Sequence, residues 1–133
     1  MAVHDELIAE AAGLLNPHRV GDRLFGDVAS TLVTRTGEHF SGVCVDTGST
    51  GFCAEQSAIA AMVTAGHYAV AAIVAVYRQD DAQLRVLPPC GSCREFIRQV
   101  DPSNIATRVV LGREESVPLG ELLPRYEWPA PLE

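Results

Sequence analysis

Ala54-Glu55-Gln56-Ser57-Ala58-Ile59-Ala60-Ala61-Met62-Val63-Thr64-Ala65, followed closely by Val70-Ala71-Ala72-Ile73-Val74-Ala75-Val76-Tyr77, is the stretch on which the fold turns. In the first run Ala58, Ile59, Ala61, Met62 and Ala65 supply an apolar helical face of mostly small residues, and Gly66 suits a C-terminal cap. The second run is continuously apolar, the pattern of a strand buried on both faces. A helix handing over to such a strand across a short connection is a unit of a layered α/β domain.

The same alternation continues outward. His4 to Asn16 reads as a helix, with Leu7, Ile8, Ala11, Ala12, Leu14 and Leu15 near helical spacing and Pro17 at its exit. Asp27 to Thr36 and His39 to Asp46 read as two strands of a hairpin that turns at Thr36-Gly37-Glu38. Thr47 to Gly51 is a loop by composition. Downstream, Gln83 to Leu87 is a short strand and Gly91 to Val100 a third helix. Thr107 to Leu111 is another strand, and Pro118 to Leu123 a short helix opened by proline. The whole predicts one α/β domain over residues 1–133, layered α/β/α around a mixed sheet.

Composition narrows the function. A length of 133 residues with 47% hydrophobic and 20% charged residues is that of one globular domain able to hold a core without disulfides. The net charge of −7 disfavours a nucleic acid polymer as partner. The longest apolar stretch is far short of the roughly 20 residues that span a bilayer, so no membrane association is expected. No basic region followed by an apolar run opens the chain, and the expected address is the cytoplasm, where cysteines stay reduced. Four cysteines then need a reason other than disulfides.

Three of them fall where a loop or strand hands over to a helix: Cys53 in Cys53-Ala54-Glu55, and Cys90 and Cys93 in Pro89-Cys90-Gly91-Ser92-Cys93-Arg94. A helix N-terminus carries unpaired N–H groups and roughly half a positive charge, which favours thiolate. Cys90 and Cys93 lie one helical turn apart, so their sulfurs share a face. Three thiolates on one zinc ion leave the fourth tetrahedral position open, as a catalytic zinc needs. Arg94 is the expected counter-charge to the thiolates. Glu55, two positions after Cys53, is placed to work beside a metal-bound water as general base and then acid.

These two motifs, with Cys90 following Glu55 by 35 positions, resemble the cytidine deaminase superfamily, in its cytidine deaminase and blasticidin S deaminase branches. The resemblance implies a five-stranded mixed sheet flanked by helices, one Zn²⁺ per subunit and a homotetramer. It also implies hydrolytic deamination: water adds to C4 of a cytosine ring, Glu55 moves a proton to N3, and ammonia leaves. The substrate would be a small nucleoside, with cytidine or deoxycytidine leading and blasticidin S as the alternative.

Phe40-Ser41-Gly42-Val43-Cys44-Val45-Asp46 matches the strand that reads Phe-x-Gly-x-Asn-Val-Glu in cytidine deaminases, where the Asn and Glu hold the ribose. The resemblance therefore implies substrate contacts at Phe40, Cys44 and Asp46. The loop after Asp46, Ser30, Tyr126 and Trp128 are similar to the blasticidin S branch and imply contacts there. Gln56 stands where cytidine deaminases often carry Arg.

Two other readings remain open at this point. Cys90-Gly91-Ser92-Cys93 before a helix also fits a thiol oxidoreductase, although that explains neither Cys53 nor Glu55. A structural zinc closed by Cys44 as fourth ligand would leave no place for water.

Overall fold

The computed structural model describes residues 4–127 and 129–132. Trp128 lies outside the described residues. The elements are α1 (Asp5–Ala12), β1 (His18–Val20), β2 (Arg23–Phe25), β3 (Val28–Thr34), β4 (His39–Val43), α2 (Ala54–Thr64), β5 (Val70–Arg78), β6 (Leu84–Val86), α3 (Gly91–Val100), β7 (Arg108–Val110) and β8 (Ser116–Pro118). Short 3₁₀ turns cover Pro102–Ala106 and Leu119–Leu122.

The sheet runs β4-β3-β5-β7-β8, and β6 also pairs with β5. One edge of β5 is taken by β3; its other edge is shared by β7 at Ala72–Ile73 and β6 at Val76–Arg78. Among the described residues six strands therefore fill five positions of a mixed sheet, in which only β5 and β7 run parallel. β5 is covered on both faces, as its apolar run requires. On one face Val74 and Val76 join Leu7, Ile8 and Ala11 of α1; on the other Val70 and Ile73 join Ala58, Ile59 and Met62 of α2 and Ile97 of α3. A register shift between the β3 partners Val33 and Thr34 lets Val70 and Ile73 share that face despite their odd spacing.

α2 lies flush on β4 because both surfaces are small. A Cβ added to Gly42 would meet Ser57 Oγ at 2.4 Å and the Ala58 amide nitrogen at 2.8 Å. This close approach fixes how the N-terminal end of α2, and with it Cys53 and Glu55, sits against the sheet. The buried Asn104 ties α3 to β5. It accepts from Val70 N at 2.8 Å and donates to Tyr68 O and Ile97 O at 2.9 and 3.1 Å.

Some expected boundaries shift. The first helix ends at Ala12 instead of Asn16, because the chain tightens through Gly13: Leu14 N bonds Ala11 O and Leu15 N bonds Ala12 O, the i→i+3 pattern of a closing turn. Pro118 ends edge strand β8, and the expected helix after it is a 3₁₀ turn. The β1–β2 hairpin, turned at Gly21 (φ 61°), is an addition to the expected elements.

Candidate metal and catalytic site

Cys53 and Cys90 are the N-cap residues of α2 and α3, both with extended backbone, and Cys93 is in the first turn of α3. The two helix starts converge, so residues 37 positions apart meet: the Cys53 and Cys90 sulfurs lie 3.7 Å from each other. All three sulfurs fall within 4.8 Å of one another. Zinc–thiolate bonds of about 2.3 Å in a tetrahedron set sulfurs about 3.8 Å apart, so the donor set fits one zinc ion in chemistry and in spacing.

The thiols differ in ease of ionisation without a metal. Burial pushes Cys93 far up, with the Glu55 charge and the neighbouring thiols adding to it. Burial also raises Cys53. For Cys90 burial works upward too, but the Cys93 amide N–H donated to its sulfur at 3.4 Å, with the other thiols, brings it below the ordinary value. Cys90 is also the exposed member, which makes it the natural first ligand.

Glu55 is only 4% exposed in the first turn of α2. Burial holds its carboxyl above the usual carboxylate range, partly offset by its own backbone N–H and the Cys93 thiol. Glu55 borders a cavity of about 10 Å³ lined by Ile73, Val74, Ala75, Leu87, Pro89, Val109 and Val110. That is too small to admit a ring. Its apolar wall explains the displaced carboxyl.

Other expected site residues land in different places. Among the described residues Arg94 makes no hydrogen bond to a thiol: its Nε donates to Pro89 O at 2.8 Å and its Nη1 to Leu122 O at 3.0 Å. It ties the approach to Cys90 to the C-terminal segment. Gln56 takes the thiol-facing place instead, with Nε2 at 3.2 Å from Ser92 Oγ and 3.8 Å from Cys93 Sγ. A neutral amide thus stands where a cation was expected. The sequence marked Gln56 only as a departure from a pattern; its position directly after Glu55 was the available signal.

Phe40 is a core residue. It packs against the α2 cluster and tilts on His67, ring centroids 5.8 Å apart, beyond the C-terminal end of α2. That end is about 16 Å along the helix from the cysteines. Ser30 is fully buried, its hydroxyl donated to Val74 O at 2.7 Å, so it is not presented to a ligand. Tyr126 lies over the Arg98 guanidinium at 5.3 Å, two turns along α3 from Cys90, and so away from its own chain's thiols. Asp46 is exposed just past β4. Cys44 stands outside the three-sulfur group and donates its thiol to Asp27 Oδ1 at 2.9 Å. It therefore does not close the site as a fourth ligand. Asp27 was missed as a partner altogether.

Comparisons with known proteins converge on this arrangement. A family profile described as the cytidine and deoxycytidylate deaminase zinc-binding region matches residues 3–110. The chain is 33% identical over 115 residues, 82% of its length and 76% of the relative's, to a protein of Bacillus cereus named blasticidin-S deaminase. It is 31% identical over 103 residues, 73% of its length and 74% of the relative's, to one of Halalkalibacterium halodurans named cytidine deaminase. Among solved structures, cytidine deaminase from Burkholderia pseudomallei superposes with a TM-score of 0.73 at 28% identity, covering 92% of this chain and 98% of that one. That from Mycobacterium leprae shares the fold, with a TM-score of 0.73 at 22% identity over 94% of this chain and 100% of that one.

Proposed function

This chain belongs to the cytidine and deoxycytidylate deaminase family, whose members are zinc-dependent hydrolytic deaminases, and on that premise we propose that it deaminates a free cytosine nucleoside, cytidine or deoxycytidine, to the uracil nucleoside and ammonia. The observation that carries this reading is the placing of Glu55. It is a buried carboxyl two positions after Cys53, in contact with the Cys93 thiol, at the point where the three thiols converge.

Cys53, Cys90 and Cys93 would hold the zinc. Bound there, the metal supplies a Lewis acid that brings the acidity of water to near neutral pH. Glu55 takes the proton that water loses as its oxygen joins C4, and delivers it to ring N3. The proton remaining on the oxygen now joined to C4 is then taken by Glu55 and passed to N4, so that C4=O forms as the C4–N4 bond breaks and ammonia leaves. A carboxyl held above its usual range by burial suits a group that must both take and return a proton. The base ring would approach Glu55 from outside the small apolar cavity that it borders, which is too small for a ring. Asp46, exposed just past β4, would offer its carboxylate to a sugar hydroxyl.

The second reading is a nucleoside antibiotic, blasticidin S. It is favoured by the Bacillus cereus relative and by the short loop from Asp46 to Cys53. The working form in this proposal is a cytoplasmic homotetramer. Exposed Phe52 and Leu87, flanking the cysteine segments, and Phe96 on α3 are the surfaces that second copies would cover. Among the described residues no helix is long and apolar enough to cross a membrane. Tyr126 and Trp128 would then serve a neighbouring subunit's pocket.

The test is ammonia release by zinc-loaded protein on cytidine, deoxycytidine, cytosine and blasticidin S. Turnover of the plain nucleosides supports the leading reading. Turnover of blasticidin S alone supports the second. Silence across the panel removes both.

A further inference from the structure

Asp27 stands apart from the residues used so far, yet the backbone aims it at the site. Cys44 N donates to Val28 O at 3.0 Å, while Cys44 O accepts from Gly26 N at 3.3 Å. Gly26 and Val28 thus both bond the single residue Cys44, with Asp27 between them, a β-bulge-like irregularity opened by Gly26 at φ 74°. A bulge re-aims a side chain, and here it brings the Asp27 carboxylate to the Cys44 thiol, 2.9 Å away.

Two features put this pair at the catalytic end of the fold. Val45 and Phe52 exchange backbone bonds of 3.0 and 2.9 Å, and one step outward in that antiparallel register sets Cys44 opposite the ligand Cys53. Along β4, Phe40 and Gly42 point to α2, and Cys44 is the next position of that alternation, toward the N-terminal end of α2. Asp27 and Cys44 are both half-buried. The thiol keeps its proton, because burial and the Asp27 contact both push it up. It donates to Oδ1 and leaves Oδ2 as a fixed acceptor. Among the described residues Asp27 forms no ion pair.

We propose that Asp27 is a specificity-determining residue, its Oδ2 accepting a hydrogen bond from a sugar hydroxyl of the substrate while Cys44 holds Oδ1. This rests on the nucleoside deaminase reading above. Asp27→Asn keeps the shape and an acceptor for the Cys44 thiol but turns the second oxygen into a donor nitrogen.

The experiment measures kcat and KM for zinc-loaded wild type and Asp27→Asn on cytidine, 2′,3′-dideoxycytidine and 5′-deoxycytidine. Binding of uridine is measured by calorimetry on the same samples. Asp27→Asn should lower kcat/KM on cytidine about tenfold or more, mainly through KM, and weaken uridine by a similar factor. On the analogue lacking the contacted hydroxyl the loss should shrink to within about twofold, because the bond is already missing. Equal losses on all three substrates, with uridine binding unchanged, would make Asp27 a structural residue and overturn the inference alone. Absence of wild-type turnover on every nucleoside would overturn the proposed function, and this inference with it. Cys44→Ala should give a smaller loss with the same substrate pattern, since it frees Asp27 without removing it; a uniform loss counts against the pairing.

Discussion

The Cys53 sulfur lies 3.7 Å from the Cys90 sulfur, although each caps a different helix. That separation is close to what a shared tetrahedral ion needs, and it arises because α2 and α3 pack side by side on one sheet face with their N-termini level. Thiol reactivity reports on it directly. The zinc-loaded protein should show at most one thiol, Cys44, reacting slowly because it is half-buried and bonded to Asp27, and the chelated, unfolded chain all four. A titration of two or more thiols in the native zinc form would mean that the ligand set is wrong. Cys53→Ser should lose most of the metal, because one of three protein ligands is gone.

Gln56 carries the second prediction. Its amide bridges α2 to Ser92 and Cys93 in the first turn of α3. Partners behind metal ligands typically contribute about 10–100-fold in affinity. Gln56→Ala should therefore weaken zinc binding by at least about tenfold in a chelator competition, with little change in the fold. An unchanged zinc affinity would show the bridge to be incidental.

Asn104 holds the helix that bears Cys90 and Cys93 against β5 through three hydrogen bonds. Replacing it by Ala strands the Val70 N–H and two carbonyls in the interior. Each buried orphan costs about 1–3 kcal/mol, so Asn104→Ala should destabilise the fold by at least about 2 kcal/mol in urea denaturation. A loss under about 0.5 kcal/mol would mean that water replaces these bonds.

How much of this was readable beforehand depended on range in the chain. The cysteines and Glu55 were legible because a helix N-terminus is a local feature, written by Cys53-Ala54-Glu55 and by Pro89-Cys90. The strand β5 was legible because burial on both faces leaves an unbroken apolar run. Arg94 was misjudged because one of its partners, the Leu122 carbonyl, lies 28 residues away and only the tertiary fold brings it near. Phe40 was misjudged because strand alternation gives its face but not which end of α2 it meets. The β1–β2 hairpin is largely exposed, with two three-residue strands, and carries no apolar alternation. The aim of Asp27 depends on a bulge, and nothing in local composition shows a bulge except the glycine at position 26.

The β3–β4 turn offers a pH test. The Thr34 and Thr36 hydroxyls donate to Glu38 and hold its carboxyl down to about 2, against an ordinary 4.5. A value depressed in the folded state means that ionised Glu38 favours folding. That contribution is complete above about pH 4.5 and disappears as pH falls toward 2. Carboxyl-carbon NMR should place the Glu38 midpoint well below 4, and Thr34→Val should raise it. An ordinary midpoint in the native protein would remove the hydroxyl contacts from the account.

The central claim is that Glu55 moves the protons of a hydrolytic deamination at a three-thiol zinc site. Its most direct test is ammonia release by wild type and Glu55→Gln, on whichever panel substrate wild type turns over fastest, with zinc measured on the same samples. The account predicts one zinc per chain in both proteins and a rate at least about 10²-fold lower in the variant. A variant that keeps its zinc and turns over at the wild-type rate would contradict it.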